Sequence, residues 1–224
     1  MAADLSLSPF DVLGQAPPRP LRDHHFLAAY RDLALREGWD RKALADQSAF
    51  SWRAFGAFLA GYRPEAGEGP CLLAALSDPH PFVRTCAAWS LGEREGLDPG
   101  ASESQGGLAA AILQDEAWQV GRKAALALGK REGPAAVLAF WREVRDRPLH
   151  AWVRRGLVQA AGVPDWPAER MAAWLAEAGP EDREALAFLL KDRPWAEGVE
   201  ALIRDLAADD PWIAHLVSLS RKLT

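Results

Sequence analysis

Residues 76–92 carry the sequence LSDPHPFVRTCAAWSLG, which decides the fold class of the chain. The Asp-Pro pair at 78–79 is a turn signal, because proline fixes its own backbone angle and is favoured where a helix begins. Apolar side chains then recur at intervals of four residues, at Val83, Ala87 and Leu91. This spacing places them on one face of a helix, so the stretch predicts a turn followed by an amphipathic helix.

The same pattern recurs along the chain at intervals of 31 to 37 residues. Clear copies lie at 113–129 and 148–162, and a weaker copy lies at 50–61. The glycines that mark the register of the four copies are Gly61, Gly92, Gly129 and Gly162. Each copy is preceded by another apolar stretch with helical spacing, so the repeating unit is a pair of helices.

The predicted helix faces are rich in alanine, which lets neighbouring helices approach closely. The alanines concerned are Ala57, Ala87, Ala124 and Ala125. A short helix pair with so small an apolar face must stack on its neighbours to bury it. Prolines such as Pro134 fall at expected helix starts, and no segment alternates as several successive strands would. The sequence therefore predicts an all-α solenoid of about six antiparallel helix pairs.

The order Asp-Pro, Val-Arg, Ala and Leu-Gly within 76–92 resembles the HEAT repeat, of the short HEAT-like or phycobilisome-lyase type. The resemblance implies an armadillo-type, right-handed α-solenoid in which the second helix of each pair lines the concave side. We expect a single domain of this kind over residues 23–224. The proline-rich residues 1–22 predict an extended or flexible arm, and residues 93–107, rich in Gly, Ser and Glu, predict a loop insertion.

Composition excludes several classes of protein. The 224 residues are 49% hydrophobic and carry a net charge of −5, as expected of a globular rather than a disordered chain. Two cysteines, Cys71 and Cys86, are too few for a disulfide scaffold and form no Cys-x-x-Cys pair. Every apolar stretch is interrupted and no signal peptide is recognised, so we expect a cytoplasmic protein without a membrane span. The abundance of Arg, Ala, Gly and Pro is typical of a bacterium with a GC-rich genome.

Arginines recur in or beside one position of the repeat, and two hypotheses account for them. These arginines are Arg53, Arg84, Arg122, Arg154 and Arg155. In the first hypothesis they form a ladder with the turn aspartates of neighbouring repeats, for which Asp78, Asp115 and Asp146 are available. Such pairs, where exposed, contribute only about 0.2–1 kcal/mol each but set the register. In the second, some of them face the concave groove and bind phosphate or carboxylate groups, which suit planar guanidinium donors.

The middle of the chain is basic although the whole chain is acidic. Residues 116–163 carry 9 basic and 4 acidic side chains. A segment of this charge can attract a polyanion, which keeps nucleic-acid binding open as an alternative function. The same side chains also fit a solvated surface spread round two helix pairs, and the net acidic charge argues against strong nonspecific DNA binding.

Ten tryptophans are many for a chain of this length. Trp52, Trp141 and Trp174 lie among apolar residues at helical spacing and are predicted to fill the core. Trp118 and Trp152 lie beside arginines near the starts of second helices and are predicted anchors for a partner. The complete predicted partner-binding set on the concave face is Arg84, Trp118, Arg122, Trp152, Arg154 and Arg155.

The resemblance also raises an enzymatic class, because alkylpurine DNA glycosylases built from HEAT-like repeats use tryptophans and an aspartate in a basic groove. The chain lacks that family's run of consecutive tryptophans followed by acids, so no catalytic residue is assigned. The His-Glu dipeptides with which HEAT-type deoxyhypusine hydroxylases bind iron are also lacking. His80 and His150 occupy one repeat position and are predicted to be turn residues rather than metal ligands.

These observations favour a noncatalytic scaffold that binds a protein partner through its concave helix layer, with no metal, no cofactor and no membrane contact. The alternative is a nucleic-acid-binding or DNA-repair protein, similar to the alkylpurine DNA glycosylases, that uses the basic segment 116–163. The sequence leaves the partner's identity and the oligomeric state open.

Overall fold

The residues that the computed structural model describes are 44–61, 68–93, 101–191 and 198–220. Every regular element in these ranges is a helix and none is a strand, so the predicted all-α class is confirmed for this part of the chain. The predicted arm at 1–22 and the first apolar helical stretch, at 26–36, lie outside the described residues. The chain divides into two compact units, Met1–Ala127 and Leu128–Thr224.

Helices of the first unit pack in the manner of consecutive pairs. They are α1 (Phe50–Ala60), α2 (Glu68–Ala75), α3 (Pro81–Glu93), α4 (Ala101–Gln114) and the first part of α5 (Trp118–Val144). Helix α1 packs against α3, and α2 packs against both α3 and α4. Contacts between every second helix show that each pair buries its apolar face against the next pair, as the short helices require.

The second unit, which begins within α5, contains helix pairs of the same kind. Its further elements are α6 (Ala151–Ala160), a 3₁₀ helix (Val163–Asp165), α7 (Ala168–Glu177), α8 (Pro180–Leu190), α9 (Val199–Asp209) and α10 (Pro211–Ser220). Helix α6 packs against α8, α8 against α10, and α7 against α9. The helical pairs expected beyond residue 166 are therefore present in the described residues, although their sequence pattern is weak.

Helix α5 is interrupted at Gly133, which has a φ of 82° and a ψ of 165°. Glycine occupies this region of backbone space without the clash that a Cβ atom would cause. Pro134 follows at once, and proline suits the first position of a new helical segment because its missing N–H would have no helical partner there. The proline therefore stands at a helix start, as the sequence predicts.

The predicted loop insertion at 93–107 is wrong for its second half, because residues 101–107 form the first turns of α4. Residues 101–105 contain no helix breaker, and of the two glycines that follow only Gly107 lies against other side chains. A Cβ atom on Gly107 would lie 3.1 Å from Leu73 and 3.2 Å from Leu76, so a larger residue would require these leucine side chains to shift by a few tenths of an ångström where α4 packs against α2. Residues 94–100 lie outside the described residues.

The core follows the predicted repeat positions. Val83, Val120 and Val153 occupy equivalent positions and are each at most 4% exposed. The alanines predicted to allow close helix approach are likewise buried: Ala57, Ala87, Ala124 and Ala125. The three tryptophans assigned to the core are buried as well: Trp52, Trp141 and Trp174. The helical register deduced from residues 76–92 is thus confirmed in both units.

Three of the four register glycines lie where two helices cross. A Cβ atom on Gly92 would lie 2.7 Å from the Cα of Ala127, and one on Gly129 would lie 2.8 Å from the Cβ of Ala160. Gly61 is equally tight, with Ser90 Oγ at 2.8 Å. No side chain fits at such distances, so glycine sets how closely the helices approach.

Candidate functional site

Arg84 joins two consecutive repeats of the first unit. Its Nε and Nη2 donate to the two carboxylate oxygens of Asp115 at 2.6 and 2.8 Å. Its Nη1 donates to the backbone carbonyls of Asp78 and Pro79, in the turn before its own helix. Asp115 also accepts a hydrogen bond from the backbone N–H of Ala117. Arg84 therefore joins the turn between the helices of its own pair to the corresponding turn of the next pair.

Arg53 makes the same set of contacts one repeat earlier. Its Nε and Nη2 donate to Asp78 at 2.7 and 3.0 Å, and its Nη1 donates to the carbonyls of Gln47 and Ser48. Asp78 accepts in addition from the backbone N–H of His80. The ladder hypothesis is confirmed for Arg53 and Arg84.

The ion pair between Arg53 and Asp78 shifts the pKa of both groups. Hydrogen bonding to Asp78 is the main cause that raises the pKa of Arg53 above its ordinary value. Partial burial acts to raise the pKa of Asp78, but the hydrogen bonds from Arg53 and from the His80 backbone outweigh it. The pKa of Asp78 consequently lies below its ordinary value, which favours the charged pair.

Arg154 forms a third pair, in the second unit, with a different kind of partner. Its Nη1 lies 3.2 Å from Oδ1 of Asp182, a residue inside α8 rather than in a turn. Both side chains are buried, at 6% and 1% exposed. The guanidinium also donates to the carbonyls of Arg145 and Arg147, in the turn before its own helix. Arg154 thus keeps the backbone contacts of the ladder and exchanges the turn carboxylate for a helical one.

The predicted ladder is wrong for Asp146, and Arg122 lies beside the ladder position rather than in it. Asp146 is not a partner in it, because its side chain is 94% exposed and lies beside Arg145. Arg122 does not occupy the ladder position, since the residue after the buried Val120 is Gly121. Arg122 is one residue further along α5 and is half-buried with contacts of its own.

Arg155 lies within a cluster of aromatic and charged side chains on α6 and α8. Its guanidinium carbon lies 4.5 Å from the ring centre of Trp152 and 3.7 Å from that of Phe188. The two rings meet edge to face at 5.3 Å. Arg155 Nη2 lies 3.3 Å from Glu184, and Lys191 Nζ lies 4.3 Å from the Phe188 ring. We call these five residues the Trp152 cluster.

The six predicted partner-binding residues differ in how accessible their side chains are. Arg84 and Arg154 are engaged in the ladder, so a partner would reach their guanidiniums only by breaking ion pairs. Arg155 is 8% exposed beneath the aromatic rings of its cluster. Trp118 and Trp152 are half-buried and keep part of their surface accessible. Arg122 is half-buried too, so the two tryptophans and Arg122 are the members of this set that lie outside the ion pairs of Arg84, Arg154 and Arg155.

A scan of protein-family models matches residues 69–93 to the HEAT repeat. The matched stretch covers helices α2 and α3. The matched residues include Asp78 and Arg84, the residues that link this repeat to its neighbours on either side. A comparison with curated proteins and a comparison with solved structures find no match.

Acidic residues of later helices pair with three of the nine basic side chains of segment 116–163. Arg142 pairs with Glu177 at 3.1 Å, 35 residues further along the chain. Arg154 and Arg155 pair with Asp182 and Glu184. A count of charges by segment misses these acids, because each lies in a later helix.

The two histidines of the repeat turns lie just before a helix, as predicted for turn residues, and each caps that helix. Nδ1 of His80 accepts from the backbone N–H of Phe82, and Nδ1 of His150 accepts from that of Trp152. Burial lowers the pKa of His80 below its ordinary value.

The four described ranges contain no group of three or more His, Cys, Asp or Glu residues placed to hold a metal ion.

Cys86, at the centre of the HEAT repeat, has the character of a core residue. It is 3% exposed, and burial raises the pKa of its thiol to about 12. The nucleophilic form of cysteine is the thiolate, so this thiol is unreactive near neutral pH.

In the described residues, no helix has both the length and the apolar character needed to cross a membrane.

Sequence reasoning missed Glu184, Phe188 and the role of Asp182. The repeat pattern weakens here because Asp182, 1% exposed, stands where Val153 stands one repeat earlier. A shift of 29 residues would have aligned Arg154 with Arg183 and so revealed the equivalence. The recurrence of arginine at Arg154 and Arg183, rather than the apolar spacing, was therefore the sequence feature that identified this repeat.

Proposed function

We propose that the chain is a noncatalytic repeat scaffold that binds a protein partner through the second helices of its pairs, with Trp118 and Trp152 as anchors. The observation that carries this proposal is the Trp152 cluster, in which accessible aromatic surface lies over a fixed guanidinium. Tryptophan and arginine dominate the binding energy of protein interfaces, because they bury large area and retain a polar group for hydrogen bonding.

Rigidity of the surrounding helices adds to the value of such an anchor. Arg154, on α6, bonds to the turn before that helix and to Asp182 of α8. Helices α6 and α8 are the two that carry the cluster. A side chain fixed in place before binding loses little conformational entropy when the partner arrives. The ladder in this view is the support of the binding surface and not its contact residues.

The finer architecture belongs to the same proposal. We take the helix pairs to form one right-handed, HEAT-like solenoid of about six pairs over residues 23–224, in a cytoplasmic, bacterial protein. The stacking of α1 on α3 and of α6 on α8, together with the match to the HEAT repeat, supports this arrangement.

Nucleic-acid binding through 116–163 receives less support from the contacts. Three of its nine basic side chains are paired with acids outside the segment: Arg142, Arg154 and Arg155. Phosphate binding by these groups would have to replace an existing ion pair. A protein partner held by aromatic surface requires no such exchange.

Affinity capture with matched tryptophan variants tests the proposal. Immobilised wild type and Trp212→Ala should retain the same partner from a lysate, whereas Trp118→Ala and Trp152→Ala should lose it. Trp212 is a suitable control because it is 49% exposed and lies on the last described helix. Circular dichroism establishes that each variant is folded. Equal capture by all four proteins would contradict the proposal.

A further inference from the structure

A cleft of about 460 Å³ in the second unit lies at the end of the arginine ladder. Helices α7, α8, α9 and α10 all contribute to its wall. Its apolar lining includes Leu175, Leu202, Leu206 and Ile213, and its charged lining consists of Arg183, Asp205 and Asp210. The volume falls in the range of sites that bind small molecules or single peptide residues.

Arg183 repeats the backbone contacts of the ladder arginines. Its Nε donates to the carbonyl of Ala178 and its Nη2 to that of Leu175, both in the region before its own helix. Arg154 makes the corresponding bonds to Arg145 and Arg147 one repeat earlier. Arg183 therefore occupies the next position of the ladder.

Arg183 differs from the three other ladder arginines because it has no carboxylate partner among the described residues. Arg53, Arg84 and Arg154 each pair with an acid of the following repeat. Within the described residues Arg183 forms no ion pair, and its Nη1 has no hydrogen-bond partner. Asp210 is the turn acid equivalent to Asp78 and Asp115 and caps α10 through the N–H groups of Trp212 and Ile213, but it forms no ion pair with Arg183.

Arg183 can therefore pair with a carboxylate that enters the cleft from outside the chain. We infer that the cleft binds the C-terminal residue of a peptide, with the terminal carboxylate on Arg183 and an apolar side chain on the lining. A terminal residue carries its carboxylate and its side chain on one carbon, which matches an arginine and an apolar wall within one cleft. Planar guanidinium donors bind carboxylates in two-point geometry. The inference rests on the proposed function in one respect, namely that the peptide belongs to a protein partner.

The two acids of the cleft define its selectivity. Asp205 is exposed and Asp210 half-buried on the same lining as Arg183. They repel a second negative charge, so a peptide that ends in an apolar residue binds better than one that ends in glutamate. The cleft should therefore discriminate between acidic and apolar C-terminal residues.

A titration with labelled peptides tests the inference. The probe is a fluorescein-labelled peptide of sequence GSGSL with a free C-terminal carboxylate, followed by fluorescence anisotropy as the full-length protein is added. Its C-terminal amide and the peptide GSGSE should bind about tenfold or more weakly, which corresponds to roughly 1.4 kcal/mol. Equal binding of the acid and the amide, or no saturable binding at about 1 mM protein, would overturn the inference.

Variants at Ala176 separate charge from folding, because Arg183 also bonds backbone carbonyls and its removal can disturb α8. Ala176 is exposed and lines the cleft on α7. Ala176→Glu supplies the missing carboxylate and should abolish peptide binding, whereas the neutral Ala176→Gln should retain most of it. Ala173→Glu, at another exposed position of α7, should bind as wild type does. Equal binding by Ala176→Glu and Ala176→Gln would contradict the assignment to Arg183.

The two proposals fail in different ways. If the peptide does not bind but capture still depends on Trp152, the inference about the cleft is wrong and the proposed scaffold function stands. If the peptide binds with the expected selectivity but no variant alters capture, the cleft is supported as a peptide site. The Trp152 cluster then loses its role as the anchor.

Discussion

The guanidinium of Arg84 holds both carboxylate oxygens of Asp115, a residue 31 positions further along the chain, at 2.6 and 2.8 Å. This contact spans one repeat, so it links units that no local hydrogen bond connects. The two side chains are 17% and 7% exposed, which removes much of the screening that weakens surface pairs. The pair is thus an element of register between repeats.

A double-mutant cycle on Arg84→Ala and Asp115→Ala should give a coupling energy of about 1–3 kcal/mol, as for contacting groups in one network. Arg204 and Glu200 provide the control, since this pair within α9 is 67% and 54% exposed and should give about 0.3–0.5 kcal/mol. Urea unfolding supplies the free energies. Equal coupling in the two cycles would show that the long-range pair does not set the register.

Asp78 should make stability depend on pH on the acid side. Its pKa is lower in the folded chain than in the unfolded chain, where a carboxyl titrates near about 4. Its contribution is therefore complete above that pH and is lost as the pH falls through the folded pKa.

The unfolding free energy of wild type minus that of Asp78→Asn should accordingly be constant between about pH 5 and 8 and should decrease below about pH 4. Urea unfolding at a series of pH values, at fixed ionic strength, measures this difference. A difference that does not change between about pH 5 and the lowest pH at which both proteins fold would contradict the role given to Arg53.

Gly92→Ala should destabilise the first unit by about 1–3 kcal/mol, because the new Cβ atom would lie 2.7 Å from the Cα of Ala127 and force the helices apart. Gly106→Ala is the matched control. Gly106 lies inside α4 with nothing within 4 Å of an added Cβ, so alanine there should stabilise by about 0.5–1 kcal/mol. Thermal unfolding distinguishes the two signs, and a stabilising Gly92→Ala would show that the helices do not cross at this glycine.

Much of the fold could be predicted from residues 76–92, because apolar spacing and turn residues act locally. Val83 and Ala87 indicate a buried helix face wherever the chain is placed, and both are buried as expected. The loop prediction was wrong for residues 101–107 because composition was taken as a turn signal. Gly107 serves close packing against Leu73 and Leu76, a contact between helices that local sequence does not reveal.

The candidate site was less predictable, since it depends on which side chain lies opposite another across a repeat. Arg154 was assigned to a partner surface, yet it is buried against Asp182, 28 residues further on. The acid that neutralises each arginine lies in a later helix, so charge counts over contiguous segments overestimate the free positive charge. Only the tryptophans could be judged from their own neighbours, and the three assigned to the core are there.

The central claim is that the ladder arginines Arg53, Arg84 and Arg154 serve the fold through their ion pairs, so that protein binding is favoured over nucleic-acid binding by segment 116–163. Titration of the protein into fluorescent double-stranded DNA, at low and near-physiological salt, tests it most directly. The account predicts no saturable binding at either salt concentration. Binding at low salt that weakens steeply as salt is added, and that is reduced by charge reversal at Arg122, Arg154 and Arg155, would contradict it.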